Sequence, residues 1–490
     1  MKSRRHAVCT SLLVFALGVV ALAADDPPSR VARLDYTTGS VSIQPGGVDD
    51  WVAAAMTRPL TTADPVWTDK DSRTELQLGT AVLRTNSETS LTLTNVSDRA
   101  VQLELDQGVL NLRVVELYPG ASYEVDTPNL AFTILTPGSY RFDVDAEGDT
   151  TAVTVWKGEG EATGDGPAQR VHAGDRVRFS SGRSLQRYFG SAPPLDGFDD
   201  WCRVRDERTD HVVSARYVSR GVVGYEDLDE YGSWSSVSPY GWVWSPYRVA
   251  AGWAPYRYGH WVWLQPWGWT WVDDAPWGFA PFHYGRWVYY RSSWCWAPGP
   301  LYVRPVWAPA LVAWIGGPRW GVSFGFGGGV GWFPLGFGEP FIPFYHHSRG
   351  YFRNVNFANT HFTNITYITN NYYNNRNFSN LHYTYRDRPN AVTAVGGNTL
   401  IHSRPVQADV FALNAKQLRE AQLSAGNSLA PTRQSVLGGN TEGRVAAAPP
   451  SRTLDRPVVS RMDPPARPAP FRGRDEASPT APGRAPDVRA

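Results

Sequence analysis

Residues 101–115 read VQLELDQGVLNLRVV, with apolar side chains alternating with polar ones on either side of a glycine. Successive side chains of a strand point to opposite faces, so this spacing predicts a β-strand with one face buried and one wet. The rhythm continues from Arg30 to about Tyr188, in TELQLGTAVLRT (74–85), SLTLTNV (90–96), SYRFDVDAEGDTTAVTVWKGEGEA (139–162) and RVHAGDRVRFSSG (170–182). Gly, Asp, Asn and Pro punctuate the runs, and DAEGDT (145–150) suits a hairpin turn. The prediction is an antiparallel β domain over 30–190, built from many short strands.

The order of these pieces carries a resemblance. GSVSIQ (39–44), Trp51, SRTELQLG (72–79), LELDQGVLNLRV (103–114), YEVDTP (123–128), TPGSYRFDV (136–144), TAVTVWKGEGEA (151–162) and VHAGDRVRF (171–179) resemble the FecR-type extracytoplasmic domain. That resemblance implies a β-sandwich or solenoid-like module, in the family the periplasmic half of a membrane regulator that signals to an alternative sigma factor. Ahead of Arg30 the sequence shows only a leader, so signalling across a membrane by this chain alone is not expected.

The leader has three parts. MKSRRH is basic, VCTSLLVFALGVVAL is apolar, and Ala21-Leu22-Ala23 offers a small-residue cleavage site, with cleavage expected after Ala23. The mature chain is expected to be exported, to the periplasm or outside a Gram-negative cell, with no stable membrane span. Its 47 basic and 46 acidic residues balance, and removal of Lys2, Arg4 and Arg5 with the leader leaves a net charge of about −2. Such a charge gives no footprint for nucleic acid. Two cysteines remain, Cys202 and Cys295, and in an oxidising compartment they are candidates for a disulfide. The alternative is two independent thiols.

Composition divides the rest of the chain. Of 21 tryptophans in the 490 residues, 17 lie between Trp234 and Trp332, whereas the last sixty residues hold no Trp, Tyr or Ile. Residues 191–232 read as a charged connector with a short exposed helix, and Glu226, Asp227, Asp229 and Glu230 within it read as a solvated acidic loop. Residues 233–345 form the Trp-rich part, 346–390 an Asn/Tyr-rich segment suited to edge strands or disorder, and 391–490 a mostly disordered Pro/Ala/Arg-rich tail with one short helix at 408–422.

Within the Trp-rich part, WAPYRYGHW (253–261) recurs as FAPFHYGRW (279–287), 26 residues on. Each copy leads into a hairpin-like stretch, YGHWVWLQPWGWTWV (258–272) and YGRWVYYRSSWCWAPG (284–299), and a degenerate copy stands at YGWVWSP (240–246). The expected architecture is a Trp-rich β-hairpin repeat domain that buries its faces by stacking neighbours. Register decides which rings share a face, and a one-residue slip swaps them. This middle third also resembles a Trp-rich, YGRW-type domain of bacterial secreted proteins, a family without an established function that often follows a FecR-like domain.

Chemistry is sparse. Rings left exposed would form an aromatic ligand platform, the candidates being Trp261, Trp263, Trp269, Trp271, Trp287, Trp294 and Trp296, with cell-wall polysaccharide or another envelope protein as partner. His260, His283, His346 and His347 can be drawn as a metal site, but the repeat exchanges His260 for Arg286 and Arg257 for His283, which asks for a polar or cationic side chain beside aromatic faces and not a ligand nitrogen. Asp273 and Asp274 are the adjacent carboxylates of the aromatic region, and a glycosidase needs two carboxyls across the scissile bond. No nucleophile elbow, zincin helix or phosphate loop appears, so no catalytic residue, cofactor or metal is expected. The leading expectation is a non-catalytic envelope protein acting in binding, scaffolding or sensing. The alternatives are a carbohydrate- or peptidoglycan-binding module and, after it, a cell-wall hydrolase.

Overall fold

A computed structural model describes residues 26–164, 166–180, 186–316, 328–360, 381–424, 429–439, 446–454, 456–468 and 470–471. The expected cleavage site after Ala23 lies outside the described residues. Strand dominates, in antiparallel sheets, as the alternating patterns predict.

The first part is a two-layer sandwich. Its first layer runs, in order, Pro59–Leu60, Ala32–Thr38, Arg73–Leu78, Ala81–Thr85, Ala100–Val114, Gly138–Val144, Thr150–Lys157, Asp175–Ser180 and Gln186–Ser191. The second runs Val52–Ala53, Val41–Ile43, Asp64–Thr68, Thr89–Val96, Ala100–Val114 again, Ser122–Asp126, Ala131–Ile134, Glu159–Thr163 and Gln169–His172. Inward side chains of both layers, from Leu34 and Leu76 to Phe132 and Phe179, form one core. Among the described strands one pair departs from the antiparallel expectation: Ala100–Glu104 runs parallel to Ser122–Asp126.

Ala100–Val114 is the strand quoted at the outset, and it belongs to both layers. Val101, Leu103 and Leu105 point inward before the glycine; Leu110, Leu112 and Val114 do so after it. The alternation changes phase at Gly108, where the strand leaves one layer for the other. A φ of +96° suits only glycine there, and a Cβ would stand 2.5 Å from the Cα of Thr89.

Among the described residues the Trp-rich part holds three tightly turned hairpins: Gly232–Val237 with Gly241–Pro246, Gly259–Leu264 with Gly268–Asp273, and Arg286–Tyr290 with Ser293–Ala297. They do not stack as a linear array. The first and third join through Trp244 opposite Trp296 into a four-stranded sheet, while the second remains two-stranded. All three close around one aromatic core, where Trp261 meets Trp271, Trp314 and Trp332 at centroid distances of 5.3, 4.7 and 5.2 Å. The two sequence copies touch at equivalent positions, Tyr256 lying edge-on to Phe282 at 4.9 Å.

Two segments differ from expectation. Within 346–390, expected to form edge strands or to be disordered, the helix Arg349–Asn359 forms, capped by the Ser348 hydroxyl on Tyr351 N–H, while residues 361–380 lie outside the described residues. Residues 391–424, placed at the head of the tail, complete the aromatic body: Thr393–Gly396 and Gln422–Ser424 flank the pair Gly329–Pro334 and Val312–Gly316 as outer strands. The composition explains it, because Val395, Leu400 and Val406 are buried apolar side chains and the Pro/Ala/Arg bias begins later in the chain. Within 408–422 a short helix does form, Ala415–Glu420.

A Trp261→Ala substitution removes a ring packed on three others, and should lower unfolding free energy by about 3–5 kcal/mol in urea titration. A loss near zero would contradict its place at the centre of this core.

Candidate functional site

The register left open by the sequence is now set. Trp261 faces Trp271, Trp263 faces Trp269, Trp287 faces Trp296, and Tyr289 faces Trp294. Directly opposite residues share a face, so these rings turn to one side of their hairpins. That side closes on the core: Trp261, Trp269, Trp271, Trp287, Trp294 and Trp296 are buried, and Trp263 is half-buried. The expected platform is therefore not presented to a polymer by these residues, since each ring is already covered by its neighbours. Of the rings just paired Tyr289 reaches the surface, and other aromatic side chains do so elsewhere. Trp242 is 47% exposed and lies 4.6 Å from Tyr217, which lies 4.9 Å from Trp234. The indole N–H of Trp234 donates to the Ser214 hydroxyl at 2.8 Å, which holds this row in place.

The exchanged His and Arg positions hold structure together. Arg286 is fully buried and donates to the carbonyls of Glu339, Gly285 and Asn359 and to Asn356 Oδ1; burial brings its guanidinium down to about 10. Arg257 donates to the carbonyls of Gly252, Asn390 and Val392. His283 contacts the Ala308 carbonyl through Nδ1 at 2.8 Å and stacks on Trp307, and burial holds it down to about 4. His260 stands 4.0 Å from Asp274 and is likewise held down to about 4 by burial. Among the described residues no group of three His, Cys, Asp or Glu is arranged to hold a metal ion. Side-chain amides missed in the sequence finish the repeat: the N–H of Gly259 donates to Gln407 and that of Gly285 to Asn359.

Asp273 points inward. Its carboxylate accepts from the Trp271 indole and the Ala275 N–H at 3.0 Å each, and burial raises its carboxyl well above the usual range. Asp274 instead accepts from Gln407. The two do not face a common cleft, so the hydrolase arrangement is not formed. The disulfide candidates do not pair. Cys202 lies on the helix Gly197–Asp210, where burial pushes its thiol up to about 12, and Cys295 packs with Val237, Val243 and Val288.

The helix Gly197–Asp210 corrects the connector reading. It lies on the outer face of the first sandwich layer, attached by charge. Arg84 pairs with Glu75 and with Asp206 at 2.7 Å; Arg205 pairs with Glu75 at 2.7 Å and Asp35 at 3.3 Å; Arg113 reaches Asp210 at 2.6 Å. The acidic loop is not simply solvated either. Asp227 meets the buried Arg33 at 2.6 Å, half-buried Glu226 has its carboxyl raised by desolvation, and Asp229 accepts from the Ser214 N–H. Arg33 also bonds Asp35 at 2.9 Å and lies over the ring of Phe279, so one guanidinium touches sandwich, loop and aromatic body. Alongside this seam, the Thr57 hydroxyl donates to the Asp273 carbonyl, and Arg58 to the carbonyls of Val436 and Leu437. No helix among the described residues is long and apolar enough to cross a membrane.

Comparison with known proteins fits this two-part architecture. Residues 64–159 match the FecR protein family, and residues 225–339 match a family of unknown function (DUF6600). No curated protein matches the chain. Two crystal structures of a candidate anti-sigma factor from Parabacteroides distasonis align at 16% identity over 26% of this chain, with a TM-score of 0.24. The chain spans 59% of the length of those structures.

Replacing Arg33 with Met strands the carboxylates of Asp35 and Asp227, and should lower stability by about 3–5 kcal/mol in denaturant titration. The pH dependence has a defined sign. Burial, working against Arg33, pushes the Asp35 carboxyl up to about 7; burial pushes Asp64 up to about 6, and burial with neighbouring carboxylates pushes Asp106 to about 7 and Asp126 to about 8. These groups hold protons in the folded chain that the unfolded chain has released, so their contribution to stability falls as pH rises toward 8. The depressed His260 and His283 act oppositely, but only between about pH 4 and 6.5. Stability should thus decline from pH 6.5 to 8, as read from urea midpoints, and Asp35→Asn should flatten that decline; an unchanged slope would remove Asp35 from the account.

Proposed function

We propose that this chain is an exported, non-catalytic protein of the cell envelope, in which a FecR domain and a Trp-rich domain work as one binding or scaffolding unit, with a sensing role for the pair. The observation that carries this reading is the ionic seam. Buried Arg33 joins the sandwich to Asp227 and to the Phe279 ring of the aromatic body, and buried Arg84 ties the helix Gly197–Asp210 to the sandwich, an arrangement suited to passing a load or ligand from one part to the other. The leader-like MKSRRH and the Ala21-Leu22-Ala23 site support export. The FecR match supports an envelope setting, and the inward tryptophans suit a structural body more than a catalytic cleft.

One observation favours a second reading, contact with cell-wall polysaccharide. Trp242, 47% exposed and backed by half-buried Tyr217 and Trp234, offers a flat face of the kind on which a sugar ring stacks.

Expression of the full precursor in a Gram-negative host, followed by fractionation and mass determination, should recover a periplasmic or extracellular chain beginning at Ala24. A cytoplasmic chain that retains its leader would overturn the export reading. Titration of the mature chain with soluble peptidoglycan fragments, followed by Trp fluorescence, separates the two roles. The scaffolding reading expects no saturable change, whereas the glycan reading expects one that Trp242→Ala abolishes.

A further inference from the structure

The outer face of the second sandwich layer carries an unusual load. On the parallel pair Ala100–Glu104 and Ser122–Asp126, Gln102 stands beside Glu124 and Glu104 beside Asp126, and Asp106 follows on the same face. The four central strands of this layer, 89–96, 100–106, 122–126 and 131–134, hold no lysine or arginine. Four carboxylates are thus crowded on central strands that carry no cation, the outward Arg170 of this layer lying on the strand Gln169–His172 and pairing with Glu159.

The C-terminal segment lies across it. Val459 N–H bonds the Thr127 carbonyl at 2.9 Å in an antiparallel bridge. The N–H groups of Arg461 and Met462 both donate to Glu124 Oε1 at 3.0 Å, and the Gln102 amide donates to Ser460 Oγ and the Met462 carbonyl. Arg461 reaches Glu161 at 2.8 Å. The segment 456–468, RPVVSRMDPPARP, has three arginines and four prolines, a composition that favours an extended ligand with little ordering left to do.

Its fit is incomplete. Arg456 donates to the carbonyls of Asp106 and Ala146 and not to a carboxylate, and the segment brings a further acid, Asp463. Beneath it Gln102 Oε1, Asp106 Oδ1 and Asp126 Oδ1 are buried without a hydrogen-bond donor, on residues at most 1% exposed. The Gln102 amide also donates to Asp126 Oδ2 at 2.8 Å and the Ser90 hydroxyl to Asp106 Oδ2 at 2.9 Å, so one oxygen of each carboxyl is served and the other is left without a donor. Burial, with repulsion from Glu104 and Glu124, pushes the carboxyls up, Asp106 to about 7 and Asp126 to about 8, as on a face short of positive charge. A cleft of about 500 Å³ remains between the segment and the sheet, lined by Val48, Thr94, Glu104, Pro464, Pro465 and Arg467.

We propose that this acidic face is a docking site for an extended, arginine-bearing segment of a partner protein, and that residues 456–468 are its resident occupant, which the partner segment displaces. Backbone N–H groups on Glu124 set the direction of the incoming chain, and arginine side chains supply donors to the one oxygen each of Gln102, Asp106 and Asp126 that the resident segment leaves without one. The resident segment holds the face closed until a better-matched one competes. This inference rests on no particular compartment or glycan, so it stands or falls apart from the proposed role.

The test uses the full chain and a fluorescein-labelled peptide of sequence 456–468 carrying Asp463→Asn. A full-chain variant with Arg456→Ser, Arg461→Ser and Arg467→Ser, whose own segment is loosened, should bind the peptide about tenfold more tightly than the unaltered chain. Adding Glu124→Gln and Asp126→Asn should remove that gain, and raising salt from about 0.05 to about 0.5 M should weaken binding. Absence of saturable binding to the loosened variant, or binding indifferent to the Glu124 and Asp126 changes, overturns the proposal. Hydrogen exchange of the unaltered chain keeps the answer available if a variant does not fold. The amides of Val459, Arg461 and Met462 should be protected, and free exchange throughout 456–468 overturns the seat itself.

Discussion

A guanidinium taken out of water has to be met by carboxylates, and in this chain that requirement sits where the sandwich, the helix Gly197–Asp210 and the aromatic body converge. Arg33 and Arg84 are buried, and their partners come from different parts of the chain: Asp35 and Glu75 from the sandwich, Asp206 from the helix, Asp227 from the loop that follows. Against burial, Arg205 and Arg84 hold the Glu75 carboxyl down to about 2, so that partner stays charged at any ordinary pH. Pairs of this kind add little net stability over apolar substitutes, but a missing member leaves the other stranded. Their effect is on placement. The helix cannot slide along the sheet, and the aromatic body that follows it starts from a determined point.

From that point the tryptophans do the packing. The duplicated unit uses its fixed features in the same way in both copies. Tyr256 and Phe282 meet edge to face, and Gly259 and Gly285 each offer an N–H to an amide side chain that arrives from much later in the chain. What varies between copies, His against Arg, adapts each unit to different carbonyls around it. The surrounding strands from 312–334 and 393–424 then close the body, so the repeat is the centre of a globule and not one link of an array.

Much of this was legible in the sequence, and the limits have physical causes. Period-two alternation marks the sandwich strands because one face of each is wet, and the repeat marks both hairpins because their turns carry the punctuation. Register was not legible, since it depends on how QPWG and RSS close their turns; once Trp261 is set opposite Trp271, six of the seven candidate platform rings turn inward. The helix Gly197–Asp210 was expected, but its attachment was not. DDWCRVRDERTD reads as solvated because its charges find their partners in residues such as Glu75 and Arg84, more than a hundred positions away. Segment 391–424 was misjudged because its apolar residues are too thinly spaced to signal a core, and they enter one built by others. Nothing local marks 456–468 as seated either, because its contacts are made by backbone groups on distant carboxylates.

The strand Ala100–Val114 has a consequence for how the sandwich comes apart. Because one continuous backbone supplies the central strand of both layers, neither layer has a centre of its own. Opening either one pulls on peptide groups bonded to Thr89–Val96 and Ser122–Asp126 on one side of Gly108, and to Ala81–Thr85 and Gly138–Val144 on the other. The two sheets therefore share a single cooperative transition, and the amides that exchange last with solvent belong to this strand.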